Sequence, residues 1–443
     1  MKFEILSEDE YNNFFDNHEQ KTFLNSPNIG KIRKLEGWSY EFVGVKDVDN
    51  KIIGVTMLLS RKEFLGKKEF YAIRGFLLDY NNFKLLSFFT DNIKKYIKKN
   101  NGFILRIDPY IIKQEHDLNG NVMPNGKNNI MAIKNLLKLN FKEHTPEQTK
   151  WMFELNTENK TIDELLKDMK ANTRNCIKRT FKNGINIREL TYDELPLFYK
   201  ITNDTSKRKG FENKTLEYYQ DMYKFFKPSN QVKFLVAELN TKNYKENLDN
   251  QLKTEENILR GIKNNNSGKY KEQLVKINSI KKNLKESSEL IKKGDIIILS
   301  AAMFVMYGNE VIYLASGNYQ EYFNFFAQYR IQYEMIKYAT ENNFKIYNFY
   351  GISGNFDIND DRIGVYEFKK GFGGFVVELI GEYRLDINKL WCILYDFVNV
   401  IKNNIKKIIN GKWLTIKSQV IFLNFLKMYF RACQKSLSQL SFS

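Results

Sequence analysis

The 443-residue chain is 43% apolar and 15% aromatic, too hydrophobic for a disordered polymer and long enough for two or three full cores. Its formal charge of +17 predicts attraction to polyanions, either nucleic-acid phosphates or anionic lipid headgroups, against a background of lysine and asparagine spread through the whole chain. Three cysteines (Cys176, Cys392, Cys433) and three histidines (His18, His116, His144) show no metal-ligand spacing, which argues against a zinc site or a Cys–His nucleophile.

In chain order, "MKFEILSEDEYNNFF" carries acids where a signal peptide carries an apolar run, so a cytoplasmic location is expected. An odd, small cysteine count fits the same reducing compartment. No run of 18 apolar residues occurs, so no bilayer-spanning helix is expected. Residues 40–62 read as two strands joined by the turn "DVDN". "FYAIRGFLLDY" reads as another strand, and the spacing of Leu85, Phe88, Phe89, Ile93 and Tyr96 predicts a helix ending at Gly102. "GFILRIDPY" supplies a short buried strand with Asp108 at its end, where a turn-capping role is the plain alternative to a catalytic one.

The middle and last thirds repeat this order, with a helix from about residue 323 to 342 and a strand to Tyr350. Residues 241–293 differ. Tyr244, Leu248, Leu252, Leu259 and Ile262, then Tyr270, Leu274, Ile277, Ile280, Leu284 and Ile291, form two narrow apolar stripes around "NNNSG". They predict an antiparallel helical hairpin inserted between two strands, its charged face either solvated or set for a polyanion. Residues 387–443 hold nine basic residues against one acid, Asp396. They read as a basic amphipathic tail, for the inner face of a membrane or for docking on the body.

Candidate phosphate contacts are Arg174 and Lys178, four apart on one predicted helix face, Arg208 in "TSKRKGF", and Arg33 or Lys34 in "IGKIRK". A solvated helix face explains each equally well. The segment "YEFKKGFGGFVVELIGEY" offers Lys369 and Lys370 before a glycine turn; strand-like alternation would point them to opposite sides. Gly371, Gly373 and Gly374 are expected to let the backbone pass close to a ligand.

Taken together, "RIDPY", "FKEHTPEQTKWMFEL", "KANTRNCIKRTFKNG", "TSKRKGF" and "YEFKKGFGGFVVELIGEY" resemble the FemABX family of peptidyltransferases, in order, over roughly residues 1–400. The resemblance implies an α/β fold of two tandem GNAT-like (acyl-CoA N-acyltransferase-like) domains with an inserted helical coiled-coil arm. The expected boundaries are 1–157 for the first domain, 158–240 with 294–386 for the second, and 241–293 for the arm. It also implies transfer of an amino acid (glycine, serine or alanine) from aminoacyl-tRNA to a stem-peptide amine of a peptidoglycan precursor. The arm favours lipid II over a soluble nucleotide-linked precursor, and no cofactor is implied.

Carried onto this chain, the resemblance implies catalytic roles for Lys369 and Asp108. Arg33 or Lys34, and Arg208 with Tyr218 or Tyr219, would bind precursor; a tryptophan of the family pattern is replaced by Ile29. Phe368 and Lys369 would face the tRNA end, and Arg174 and Lys178 the tRNA backbone. An acyl-CoA-dependent N-acyltransferase would need a glycine-rich pyrophosphate loop, for which no convincing "Q/R-x-x-G-x-G/A" occurs. A non-catalytic RNA- or membrane-binding protein is the rival from another class.

Overall fold

The computed structural model describes residues 1–409, the side chains of residues 64 and 402–409 excepted. In chain order the strands are β1 (Lys2–Leu6), β2 (Ser39–Lys46), β3 (Ile52–Lys62), β4 (Lys68–Ala72), β5 (Gly102–Ile107), β6 (Ile112–His116), β7 (Lys142–His144) and β8 (Trp151–Asn156). They continue with β9 (Ile185–Glu189), β10 (Val232–Asn240), β11 (Ile296–Tyr307), β12 (Glu310–Asn318), β13 (Ile346–Gly351), β14 (Phe375–Leu379) and β15 (Glu382–Asp386).

The first sheet runs β1-β2-β3-β4-β5-β15-β7 and the second β9-β10-β11-β12-β13-β8-β14-β6. The two orders repeat one another. In each, an antiparallel meander leads through a helix (Phe83–Lys99 or Ala327–Glu341) to a parallel neighbour, β4 to β5 and β12 to β13. The predicted turn "DVDN" closes the β2–β3 hairpin: the Asp47 carboxylate accepts from the amides of Asp49 and Lys51, both at 2.9 Å, and Asn50 takes the left-handed conformation.

The position beside β5 and β13 departs from the expected boundaries. β15, from the far end of the chain, completes the first sheet against β5, while β8 completes the second against β13. The boundaries 1–157 and 294–386 therefore do not follow the sheets. The exchange is driven by burial: Tyr383 and Leu385 of β15 lie in the first core, and Phe153 and Leu155 of β8 in the second. Each unit is finished by a strand drawn from the other stretch of chain.

Local details shift too. The strand expected over "FYAIRGFLLDY" stops at Ala72, because Arg74 and Gly75 both adopt positive φ and turn the chain. The helix after it ends with Asn100 as cap and Asn101 left-handed, so Gly102 opens β5 instead of capping. The helix expected from about residue 323 begins at Ala327, after a 3-10 turn (Gln320–Phe325) and a left-handed Phe326.

Helices Thr241–Arg260 and Gly268–Lys293 form the inserted hairpin between β10 and β11. Thr241 clamps its base, its amide donating to the Asp295 carbonyl (3.0 Å) and its hydroxyl to that of Gly294 (2.8 Å). Tyr244, Leu248 and Leu290 bury this base in the second core. The tail begins as a helix, Lys389–Ile409, docked on the first sheet: Cys392 packs with Phe103 and Ile104, and Arg384 pairs with Asp396 at 2.5 Å. No helix among the described residues is long and apolar enough to cross a membrane. The rest of the tail, residues 410–443, lies outside the described residues.

Candidate active site

A cavity of about 260 Å³ opens between the two units, walled by the helices Pro27–Leu35 and Leu216–Phe226, residues 147–149, β12 and the end of β13. Arg33, in the last turn of its helix, lines this cavity, whereas Lys34 is exposed on the same helix. Successive helical residues diverge by about 100°, so only one of the two basic candidates can face inward. Arg33 is therefore the one of the two that a molecule bound in the cavity can meet.

Tyr218 and Tyr219 both line the cavity. The Tyr219 hydroxyl donates to Asn213 Oδ1 at 2.8 Å, and burial raises the pKa of both phenols. Arg208 is placed elsewhere. It is exposed, donates to the Asn318 carbonyl at 3.2 Å, and lies 4.8 Å above the Phe323 ring.

Asp108 follows β5 and is only 2% exposed. Its Oδ1 accepts from the Arg74 backbone amide at 2.7 Å, and its Oδ2 lies 3.5 Å from Arg74 Nη1. Burial pushes its pKa up to about 7, with Arg74 opposing. Arg74 is equally buried, left-handed at φ 56°, and donates to the carbonyl of Thr149, a cavity-wall residue, at 3.4 Å. Asp108 thus stands one residue behind the wall, reached through Arg74.

Lys369 comes from a helix, Ile363–Lys370, and not from a loop or strand. It is 4% exposed, and its ammonium donates to the carbonyls of Gly351 (2.6 Å) and Tyr350 (3.3 Å). Burial alone lowers its pKa to about 7. Tyr350 lines the cavity, so Lys369 sits one residue behind that wall. Strand alternation does not apply to Lys370, which donates to Asn119 Oδ1 at 2.8 Å.

Other expected contacts have structural partners. Phe368 packs edge-on against Tyr329 and Phe372, with centroids 5.0 and 5.3 Å away. Arg174 turns back to cap the preceding helix Ile162–Asp168, donating to the carbonyls of Lys167 (3.2 Å) and Met169. A guanidinium held there does not project beside the exposed Lys178. Gly374 serves packing: at φ 118° its Cβ position would lie 2.2 Å from the Glu154 carbonyl of β8.

The reading by residue type missed the ionic floor of the cavity. Glu147 lines it, with Oε1 3.8 Å from Arg33 Nη2 and Oε2 3.0 Å from Arg106 Nη2. Arg106 also binds Glu382 of β15 at 3.0 Å, and Glu382 accepts the Glu147 amide at 2.9 Å. The exchanged strand therefore anchors the wall. Only the arginine–glycine pair in "YAIRGF" hinted at Arg74, and no local signal singled out Glu147 or Tyr350.

The FemAB family model matches residues 6–403. The chain belongs to the FemAB family. It is 31% identical over 424 residues to the aminoacyltransferase FemA of Staphylococcus epidermidis, covering 91% of this chain and all of the relative. The aminoacyltransferase FemB of the same species is 30% identical, covering 92% of this chain and all of FemB. A FemX crystal structure superposes with a TM-score of 0.69 at 23% identity, over 89% of this chain and 99% of that one, which establishes the shared fold. As a FemAB-family member aligned with these relatives along their whole length, the chain is an aminoacyltransferase.

Proposed function

We propose that this FemAB-family enzyme moves an amino acid from aminoacyl-tRNA to a stem-peptide amine of a peptidoglycan precursor, building the interpeptide bridge. The observation that carries the reading is one cavity between the units, flanked by a buried carboxylate and a buried lysine that both titrate near neutrality. Transfer breaks the ester C–O bond and forms an amide C–N bond; the amine loses a proton and the leaving ribose oxygen gains one. An alkyl amine is almost wholly protonated at pH 7, so the site must relieve it of a proton and hold the ester in reach. Asp108 is the acceptor for that proton at Oδ2, the carboxylate oxygen that no hydrogen bond occupies, by way of one water, while the Arg74 guanidinium stays protonated and fixes the carboxylate. Lys369, ionised, offsets the charge of the tetrahedral oxyanion and of the tRNA end from behind Tyr350 and Gly351, whose carbonyls it holds.

Arg33 is the ligand for the precursor's phosphates, with Tyr218 and Tyr219 as the adjoining wall. Lipid II is the favoured acceptor, supported by the long helical hairpin and by the basic tail, so the enzyme would work at the inner face of the cytoplasmic membrane. The excess of positive charge suits the tRNA donor, and Lys178 and Arg208 are its exposed candidates. Incubation with charged tRNA pools and lipid II, followed by mass spectrometry, should give lipid II heavier by one or more amino-acid residues. Product only from acyl-CoA, or only from nucleotide-linked precursor, would overturn the donor or the acceptor assignment respectively.

A further inference from the structure

Tyr350, in β13, combines features that no neighbouring residue shares. Its backbone is left-handed at φ 62°, a conformation that costs a bulky side chain more than it would cost glycine. A glycine does follow at 351, but it meets a separate need: a Cβ there would lie 2.9 Å from Thr149 Oγ1. The strained tyrosine is held from below. Its amide donates to Asn348 Oδ1 at 2.8 Å, while the buried Asn348 amide group donates to Glu310 at 3.0 Å and Glu154 at 3.3 Å. Held in this way, the residue faces two directions. Its ring lines the cavity, near Arg74 and Tyr218, and its carbonyl, with the next one, receives the Lys369 ammonium. Strain kept at a place where the surroundings over-determine it marks a functional position.

We infer that Tyr350 is a positioning residue that couples the acceptor cavity to Lys369, its ring shaping the cavity wall and its left-handed backbone aiming the carbonyls that orient the lysine. The inference rests on the reading above and deepens it. The two roles separate by substitution, because glycine keeps the backbone and loses the ring, phenylalanine keeps both, and valine opposes positive φ.

Tyr350→Gly should raise the acceptor KM about tenfold or more, as expected for loss of a pocket wall. It should leave the aminoacyl-tRNA KM within about twofold. Tyr350→Phe should retain the wild-type acceptor KM. The backbone role is read without substrates, from the pH midpoint of the Lys369 side chain, followed through the Cε resonance of lysine-labelled protein and assigned with Lys369→Met. Tyr350→Gly should keep the wild-type midpoint and Tyr350→Val should move it; if the valine variant does not fold, Tyr350→Ala serves in its place. An unchanged acceptor KM in Tyr350→Gly, or an unchanged Lys369 midpoint in the valine or alanine variant, would overturn the coupling. Absence of transfer by the wild-type enzyme would instead defeat the proposed function, and the titration midpoints would still decide whether Tyr350 orients Lys369.

Discussion

Lys369→Met should lower kcat for transfer from authentic aminoacyl-tRNA by roughly 10²–10³, the usual loss when a preorganised oxyanion-stabilising donor is removed. The chain should remain folded. Methionine matches the apolar stem that already fills the site, and the charge it removes is costly there, since burial alone lowers the lysine pKa to about 7. Between about pH 7 and the unfolded value near 10.4, the folded chain carries fewer protons at this position than the unfolded chain, so its stability rises with pH through that window. Lys369→Met abolishes this rise. Single-turnover rates, with melting curves at pH 7 and 9.5, test both halves. Wild-type turnover in the variant would remove Lys369 from the mechanism.

Asp108→Asn should cost about 10²-fold in kcat, within the range for loss of a positioned base, while preserving the fold. The asparagine carbonyl can still accept the Arg74 amide, which lies 2.7 Å from the present carboxylate. Burial holds the Asp108 pKa at about 7, above its unfolded value. From roughly pH 4 to 7 the folded chain therefore keeps a proton that the unfolded chain has lost, and stability falls as pH rises through that window. Asparagine removes the fall. For activity, Asp108 must be ionised and Lys369 protonated, so kcat/KM should form a narrow bell centred near pH 7, falling about tenfold per pH unit on each side. Asp108→Asn should erase the acid limb and Lys369→Met the alkaline limb. A flat profile in the wild-type enzyme would separate both groups from proton transfer. The same two titrations place the minimum of their joint stability contribution near pH 7, where the proposed chemistry uses them, a stability–activity trade-off.

What was legible in the sequence was local. The β2–β3 hairpin follows from two apolar strand-like runs around an Asx turn, and the helix Phe83–Lys99 from its 3.6-residue spacing. The inserted hairpin follows from two narrow stripes, which meet the second core from Leu290 at the base out to Ile280. Asp108 at a strand end and Lys369 before a glycine turn could be nominated, and both lie beside the cavity. Arg174, a candidate on helical spacing, is a helix cap, and Phe368, implied only by the resemblance, is a core contact. Residue type and spacing do not distinguish a guanidinium free for phosphate from one already satisfied by carbonyls.

By itself the sequence determined the α/β class, the duplicated order of elements and the hairpin, because hydrophobic period and turn chemistry act over a few residues. Tertiary structure alone decided that β15 and β8 change places, since strand pairing is chosen among distant edges by burial. That exchange carries Glu382 to Arg106 and so fixes Glu147 on the cavity wall. It also took the tertiary structure to make Lys369 and Asp108 unusual. Their side chains are ordinary in water; removal from it brings an amine and a carboxylic acid to nearly the same pKa, each one residue behind the wall of one cavity.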